Sequence, residues 1–300
     1  MYDEGYGVDQ DEAEALIWYS KAAEQGNAMA QFHIGLMYEE GRGVERDDYA
    51  ALKWYRKAAD QGDADAQFYL GLMYNRGRGV IHDDHEAVDW FRKAAVQCIP
   101  EAQFNLGVMY ATGCGVNQDN TEAVNWYRRA AEQGDAPAQF NLGLRYADGL
   151  GVKQDDHEAA VWYRKAAEQG ERTAQTNLGL MYQNGRGVQQ DDSEAFTWFH
   201  IAAEQGSAVA QHNLAVMYVE GRGTRQDDLQ AIIWFLRAAE QGLSHAQHNL
   251  GVMYAKGRGV KQDDSEAMAW FRKAAEQGDA EALQALKQLQ WVGAGSSSIH

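Results

Sequence analysis

A period of 36 residues runs through the chain and constrains its fold more than any other feature. Eight tryptophans keep this spacing: Trp18, Trp54, Trp90, Trp126, Trp162, Trp198, Trp234 and Trp270. A Gly-x-Gly pair recurs in the same phase, from Gly5 and Gly7 to Gly257 and Gly259, without insertion or deletion. A strict repeat of this length is typical of proteins in which small helical units stack on one another.

Each repeat predicts two helices. In the repeat 27–62, the first helical stripe is Ala30, Ile34, Met37 and Tyr38, and the second is Ala51, Trp54, Tyr55, Ala58 and Ala59. The Gly-x-Gly pair separates the stripes, because glycine permits the left-handed backbone that ends a helix. Asn27 and Asp47 are typical residues for capping the two helix starts.

These signals predict an all-α, right-handed α-solenoid of 36-residue helix-turn-helix repeats, since one pair cannot bury both of its stripes. We expect a partial repeat with only the second helix at 1–26, seven full repeats at 27–278, a C-terminal capping helix at 279–291 and a flexible tail at 292–300. Glycine inside the first helix, as at Gly107, predicts a close helix contact whose adjoining space the Trp rings fill. Cys98 and Ala215 replace repeat glycines, so we expect any irregular stacking at those two places.

The repeats resemble the Sel-1-like repeat (SLR) family, a relative of the tetratricopeptide repeats. The resemblance is carried by Ala-Gln-Phe-Asn-Leu-Gly-Val-Met-Tyr at 102–110, Gly-Arg-Gly-Val at 257–260 and Ala-Met-Ala-Trp-Phe-Arg-Lys-Ala-Ala-Glu-Gln-Gly at 267–278. It implies a non-enzymatic adaptor that offers interaction surfaces in bacterial or eukaryotic assemblies. The Cys-rich branch of the family has a disulfide in each repeat, but Cys98 and Cys114 are too far apart along a helix to form one.

Composition and motifs exclude several classes of function. The formal charge of −17, from 44 acidic and 27 basic residues, disfavours binding to nucleic acid or to an anionic membrane. No apolar run approaches the length of a membrane span, so we expect a soluble protein without membrane insertion. No nucleophile–base pair, phosphate loop or metalloprotease motif is present, and we expect neither an enzyme nor a cofactor.

The residues of the first helix that point away from the packed stripe are the candidate binding surface, which the family resemblance places on the concave face of the solenoid. One phase carries five successive asparagines: Asn105, Asn141, Asn177, Asn213 and Asn249. Such a ladder can bond to the backbone of any extended peptide; alternatively, it bonds to a neighbouring helix and fixes the repeat geometry. The preceding phase carries Phe68, Phe104 and Phe140, which line either the groove or the core, and then His212 and His248.

Two competing functions remain open from the sequence. His212, His245 and His248 form a cluster that either binds a metal, with an associated activity, or lines the groove. The second alternative is a structural spacer that self-associates through its open N-terminal end. Met1 falls inside a repeat whose first helix is missing, so we expect a truncated chain. A signal peptide of a periplasmic or secreted protein would have been lost with the missing segment, so the sequence leaves the compartment unknown. Our main hypothesis is capture of a protein or peptide partner, whose identity the sequence does not give.

Overall fold

The computed structural model describes residues 11–296, with side chains through Leu289. The described residues form sixteen α-helices and no strand. They divide into two compact units, unit 1 up to Gln154 and unit 2 from Asp155. Unit 1 contains α1 (Glu12–Glu24), α2 (Ala28–Glu40), α3 (Asp48–Asp60), α4 (Ala64–Arg76), α5 (Asp84–Val96), α6 (Pro100–Thr112), α7 (Asn120–Glu132) and α8 (Ala136–Asp148). Unit 2 contains α9 (Asp156–Glu168), α10 (Arg172–Asn184), α11 (Asp192–Glu204), α12 (Ala208–Glu220), α13 (Asp228–Glu240), α14 (Ser244–Lys256), α15 (Asp264–Glu276) and α16 (Ala280–Ser296).

Within each unit, every helix packs against the helices before and after it along the chain. This is the solenoid-like arrangement of helix pairs that the 36-residue period predicts, and the all-α fold class is confirmed. The even-numbered helices α2 to α14 are the first helices of the repeats, and the odd-numbered helices are the second helices. The predicted boundaries at 26, 278 and 291 remain predictions, and residues 1–10 and 297–300 lie outside the described residues.

The predicted caps form at the helix starts. The Asp83 carboxylate accepts from the backbone N–H groups of His85 and Glu86, and the Asn27 side chain accepts from Ala30 N–H. The same geometry recurs at most starts, because an Asp, Asn or Ser side chain satisfies N–H groups that have no partner inside the helix. The start of α6 has no side-chain cap at Ile99, but Pro100 follows it and has no N–H to satisfy.

Helix pairs come close where the first helix carries glycine. A Cβ at Gly107 would lie 2.7 Å from Cδ1 of Tyr127, which is fully buried. The ring that fills this space therefore belongs to the residue after Trp126, and not to the tryptophan itself as the sequence suggested. Trp126 instead lies half-buried with the Arg129 guanidinium 4.6 Å from its ring. Ala215, which replaces the glycine in α12, is fully buried, and α12 keeps the 13-residue length of the other first helices.

Cys98 occupies a backbone conformation that the other repeats give to glycine. Its φ is +67°, the only positive value at a described residue other than glycine, while Gly134 at the same phase has +96°. Cys98 thus has the same backbone conformation as the glycine of the other repeats. Because cysteine has a Cβ, this conformation is less favourable for it than for glycine. Both Cys98 and Cys114 are free and exposed.

We expect Cys98→Gly to stabilise the protein by about 1 kcal/mol, because glycine adopts positive φ without a Cβ clash. The free energy of unfolding from denaturant titration measures the change. Gly134→Ala is the matched reverse substitution, since nothing lies within 4 Å of a Cβ there, and it is expected to cost a similar amount. A destabilising Cys98→Gly would mean that the thiol makes contacts worth more than the backbone strain.

Candidate binding face on the first helices

Side chains on the open side of the first helices form one surface in each unit, which we call the first-helix face. In unit 1 it comprises Phe32, His33, Asp65, Phe68, Tyr69, Glu101, Phe104, Asn105, Phe140 and Asn141; in unit 2 it comprises Thr173, Thr176, Asn177, Val209, His212, Asn213, His245, His248 and Asn249. These residues are half-buried or exposed, apart from the buried Thr176. The predicted Asn, Phe and His candidates all belong to this face.

The asparagines bond mainly along their own helices. The Asn105 amide donates to the Glu101 carbonyl at 2.7 Å, and Asn141 and Asn213 make the equivalent bonds at 2.9 and 2.8 Å. Asn249 differs, because its Nδ2 lies 3.0 Å from Nε2 of His212 on the preceding first helix. Each amide is half-buried. These four bonds fix the orientation of Asn105, Asn141, Asn213 and Asn249 on the face, and a carboxamide has further donor and acceptor atoms.

Buried glutamines that are absent from the predicted site residues join successive helices. Gln103 donates to the Ala95 carbonyl at 3.0 Å, and its own oxygen accepts from Gln133 at 2.8 Å. Only 3% of Gln103 is exposed. The same pair of bonds recurs at Gln31, Gln67, Gln175, Gln211 and Gln247. A signal was present in the sequence, because both glutamines recur every 36 residues.

The phenylalanines lie at the border between core and surface. The Phe68 ring is 5.9 Å from that of Phe91, and the Phe104 ring is 5.9 Å from that of Tyr127. Phe68, Phe104 and Phe140 are all half-buried. Part of each side chain is therefore exposed on the first-helix face. At the same phase, Thr176 is buried and its hydroxyl bonds to Arg172 O and to Ser207 Oγ, both at 3.0 Å.

The three histidines line an open concavity of about 540 Å³ in unit 2, together with Asn249 and Asp279. The rings of His212 and His245 are 6.3 Å apart, and Nδ1 of His248 lies 3.5 Å from the Asp279 carboxylate. Among the residues whose side chains are described, no three His, Cys, Asp or Glu side chains are grouped so that they could hold a metal ion. The three histidines thus lie on one surface, but the described side chains include no set of ligands that supports the metal hypothesis.

His212 is held neutral by its surroundings. Burial, and then the neighbouring His245, lowers the pKa of His212 to about 4. Its ring packs 5.6 Å from that of Phe235, in the position that phenylalanine occupies in unit 1. An unfolded histidine titrates near pH 6.5, so between pH 6.5 and 4 the unfolded chain binds a proton that the folded chain does not. His212 therefore makes the protein less stable as the pH falls through this window.

We expect His212→Phe to remove this loss. Between pH 7 and pH 4.5 the wild type is expected to lose roughly 2 kcal/mol more stability than the variant. Denaturant titrations at the two pH values measure the difference. His85→Gln, which removes an exposed histidine from unit 1, serves as the control for the loss of one imidazole. Parallel pH profiles of wild type and His212→Phe would contradict the assignment.

Comparison with known families matches the Sel1 repeat eight times, at residues 1–27, 28–63, 64–95, 100–135, 136–171, 173–207, 208–243 and 244–279. The chain belongs to the Sel1 repeat family. Sel1-repeat proteins are generally scaffolds for protein interactions, and their fold is typically non-catalytic. Sel1 and tetratricopeptide-like repeat proteins bind proteins or peptides. No curated protein matches the chain.

Two solved Sel1-repeat structures are similar to this chain. One is a protective antigen of uropathogenic Escherichia coli strains with an SLR fold, at 41% identity and a TM-score of 0.86. The match covers 91% of this chain and 59% of the antigen, so the chain spans less than two thirds of that protein. The other is a Sel1 repeat protein from Oxalobacter formigenes, at 40% identity and a TM-score of 0.70, covering 91% of this chain and 79% of that protein. Among the helices that the structure describes here, none is long and apolar enough to cross a membrane.

Proposed function

We propose that this Sel1-repeat chain is a non-enzymatic scaffold that binds a peptide segment or a protein partner on its first-helix face. The family provides the general class of function, and the choice of surface rests on the residues of this chain. Each unit presents its own part of that face, and the proposal applies to each unit separately.

This proposal rests on a difference in hydrogen bonding: the buried glutamines bond between helices, whereas most of the asparagines bond within their own helix. Bonds between successive helices come from buried glutamines such as Gln103, so Asn105, Asn141 and Asn213 are not needed to join the repeats, whereas Asn249 does bond to His212 of the preceding repeat. Asn105, Asn141 and Asn213 use one amide N–H within their own helices. The carboxamide oxygen and the second N–H can then pair with a peptide backbone, whatever its side chains.

The residues beside the asparagines supply variation from repeat to repeat. One turn before each asparagine stand Glu101, Pro137, Thr173, Val209 and His245. A constant polar register flanked by variable side chains supports recognition in which the backbone is held in common and the neighbours select the sequence.

A partner captured with the wild-type chain is purified, and its affinity for variants of the chain tests the proposal. Replacing Asn105, Asn141 and Asn213 together by alanine changes the face of both units. A partner held on unit 1 is expected to bind about fivefold more weakly or worse, since two hydrogen bonds at about 0.5–1.5 kcal/mol each are lost there. Alanine has a higher helix propensity than asparagine, so the variant is expected to remain folded. Titration calorimetry with the purified partner measures the affinity.

The matched control replaces Asn117 and Asn125, two exposed asparagines away from the first helices, by alanine. We expect the control to bind like the wild type. Equal affinity of the triple variant and the wild type, with both folded, would exclude the asparagine register as the binding element.

A further inference from the structure

Aromatic rings and carboxylates meet on the first-helix face of unit 1. The Tyr69 ring lies 5.4 Å from Phe32 and 5.6 Å from Phe68, and Phe32 lies 5.6 Å from His33. The exposed carboxylates of Asp65 and Glu101 stand on the same face. We call Phe32, His33, Asp65, Tyr69 and Glu101 the aromatic–acidic surface.

No ion pair within the described part of the chain neutralises the carboxylates of this surface. Glu39 and Glu40, at the end of α2, pair with Arg78 at 2.7 Å and Arg42 at 2.6 Å. Among the residues that the structure describes, neither Asp65 nor Glu101 forms an ion pair. Burial, followed by Asp63 and Glu101, raises the pKa of Asp65, with His33 as the opposing neighbour. A cation placed here would relieve repulsion between carboxylates.

The Tyr69 hydroxyl lies among these carboxylates. Burial raises the pKa of this hydroxyl, and the nearby Glu39, Glu40, Asp65 and Glu101 add to the effect. The tyrosine is half-buried, so part of it faces solvent. Exposed aromatic rings attract Lys and Arg side chains, and neighbouring carboxylates strengthen the attraction.

The corresponding face of unit 2 has a different chemistry. The register of Phe32 and Phe68 holds Thr176, His212 and His248 there, and asparagine replaces Tyr69. The register of Asp65 and Glu101 holds Thr173, Val209 and His245, none of which is acidic. The next position of that register is Glu281 in α16, whose carboxylate lies 3.9 Å from Nε2 of His248, and the Asp279 carboxylate lies 3.5 Å from Nδ1 of the same ring. Among the described residues, phenylalanine and tyrosine rings beside carboxylates that form no ion pair therefore occur on the face of unit 1 but not on that of unit 2.

We propose that the aromatic–acidic surface of unit 1 binds a basic segment of the partner protein, with a Lys or Arg side chain against the Tyr69 ring between Asp65 and Glu101. This inference rests on the proposed function, because it assigns a partner chemistry to the same face. Apolar residues of the segment pack on the half-buried rings of Phe68 and Phe104. The net charge of −17 assists the approach of such a segment and opposes an acidic one.

A synthetic peptide tests this assignment directly. The probe is a labelled 12-residue peptide in which lysine alternates with leucine and glycine, and its binding to the full chain is followed by fluorescence anisotropy. Two companion peptides carry glutamine or glutamate in place of every lysine. We expect the lysine peptide to bind most tightly, the glutamine peptide more weakly and the glutamate peptide not measurably.

Variants distinguish a specific surface from general charge attraction. Asp65→Asn with Glu101→Gln is expected to weaken binding of the lysine peptide roughly tenfold, as does Tyr69→Asn, which installs the residue found in later repeats. Asp60→Asn with Glu132→Gln changes the net charge equally at exposed sites on second helices and is expected to alter binding less than twofold. All of the substituted carboxylates are exposed, so folding is expected to persist.

The remaining outcomes separate this inference from the proposed function. Equal weakening by the Asp65/Glu101 and Asp60/Glu132 variants would overturn the inference, because only net charge would matter. The inference would also be overturned if the glutamine peptide bound as tightly as the lysine peptide and if the Asp65→Asn, Glu101→Gln variant kept this binding. If the asparagine triple variant lost the same binding, the proposed function would still stand.

Discussion

Replacing Gly187 by alanine is expected to destabilise the protein by about 2–4 kcal/mol. A Cβ at Gly187 would lie 2.0 Å from the carbonyl oxygen of Asp156 and 2.9 Å from the backbone nitrogen of His157. Both atoms belong to the start of α9, in the preceding repeat, and no side-chain rotation can move them away. The φ of +69° adds the strain of a left-handed conformation. In the Gly-x-Gly pairs that the structure describes, from Gly43 to Gly259, the second glycine thus allows a loop to touch the neighbouring repeat.

Gly170→Ala is the matched control in the same unit. Gly170 has a φ of +94°, and nothing lies within 4 Å of a Cβ there. It carries the backbone strain without the clash, and we expect a cost of only about 1 kcal/mol. Chemical denaturation of the two variants measures the difference. Equal costs would mean that the loop moves away from α9 freely and that the close approach does not stabilise the stack.

Replacing Gln103 by leucine is expected to cost about 2–3 kcal/mol, although leucine is the more hydrophobic residue. The substitution leaves the Ala95 carbonyl without its side-chain donor in the interior and removes the acceptor of Gln133. Since Gln103 is only 3% exposed, water cannot readily replace these bonds. The free energy of unfolding from denaturant titration is the measurement.

A double-mutant cycle with Gln133→Ala isolates the bond between the two glutamines. Gln133 is exposed, so its removal alone is expected to cost about 1 kcal/mol, and the two changes together less than their sum. A leucine variant as stable as the wild type would show that the interior at Gln103 tolerates an apolar side chain. The glutamine bonds would then not be the element that joins the helices.

Local signals predicted the helices well because each is decided within a few residues. Asp83 and Asn27 cap helices as expected, and the stripes lie inward as their spacing indicates. The side-chain contacts between helices were harder to predict than the helices themselves. Trp126 is the larger ring, yet Tyr127 fills the space over Gly107, because the orientation of the second helix decides which of two adjacent rings points inward. Cys98 adopts the backbone of the glycine that it replaces, so the expected irregularity there is a local strain.

The candidate face was predictable in position but not in chemistry. Helical spacing alone placed the asparagines, phenylalanines and histidines on the open side of the first helices. It did not reveal that Asn105 bonds along its own helix, or that Gln103 makes the contacts between helices. A glutamine and an asparagine both offer amide donors and acceptors, so only burial and distance distinguish the structural residue from the available one.

The sequence by itself determined the repeat: its period, its helix pairs and the family to which it belongs, since capping, glycine turns and apolar spacing all act over short distances. The tertiary structure alone decided which neighbours each side chain meets. A side chain at Gly187 would clash because a backbone from another repeat passes 2.0 Å from where its Cβ would lie. Asp65 and Glu101 become one charged surface with Tyr69 because stacking places successive first helices side by side within unit 1. Contacts between residues about 30 to 36 positions apart depend on how the repeats stack, and no local pattern specifies that geometry.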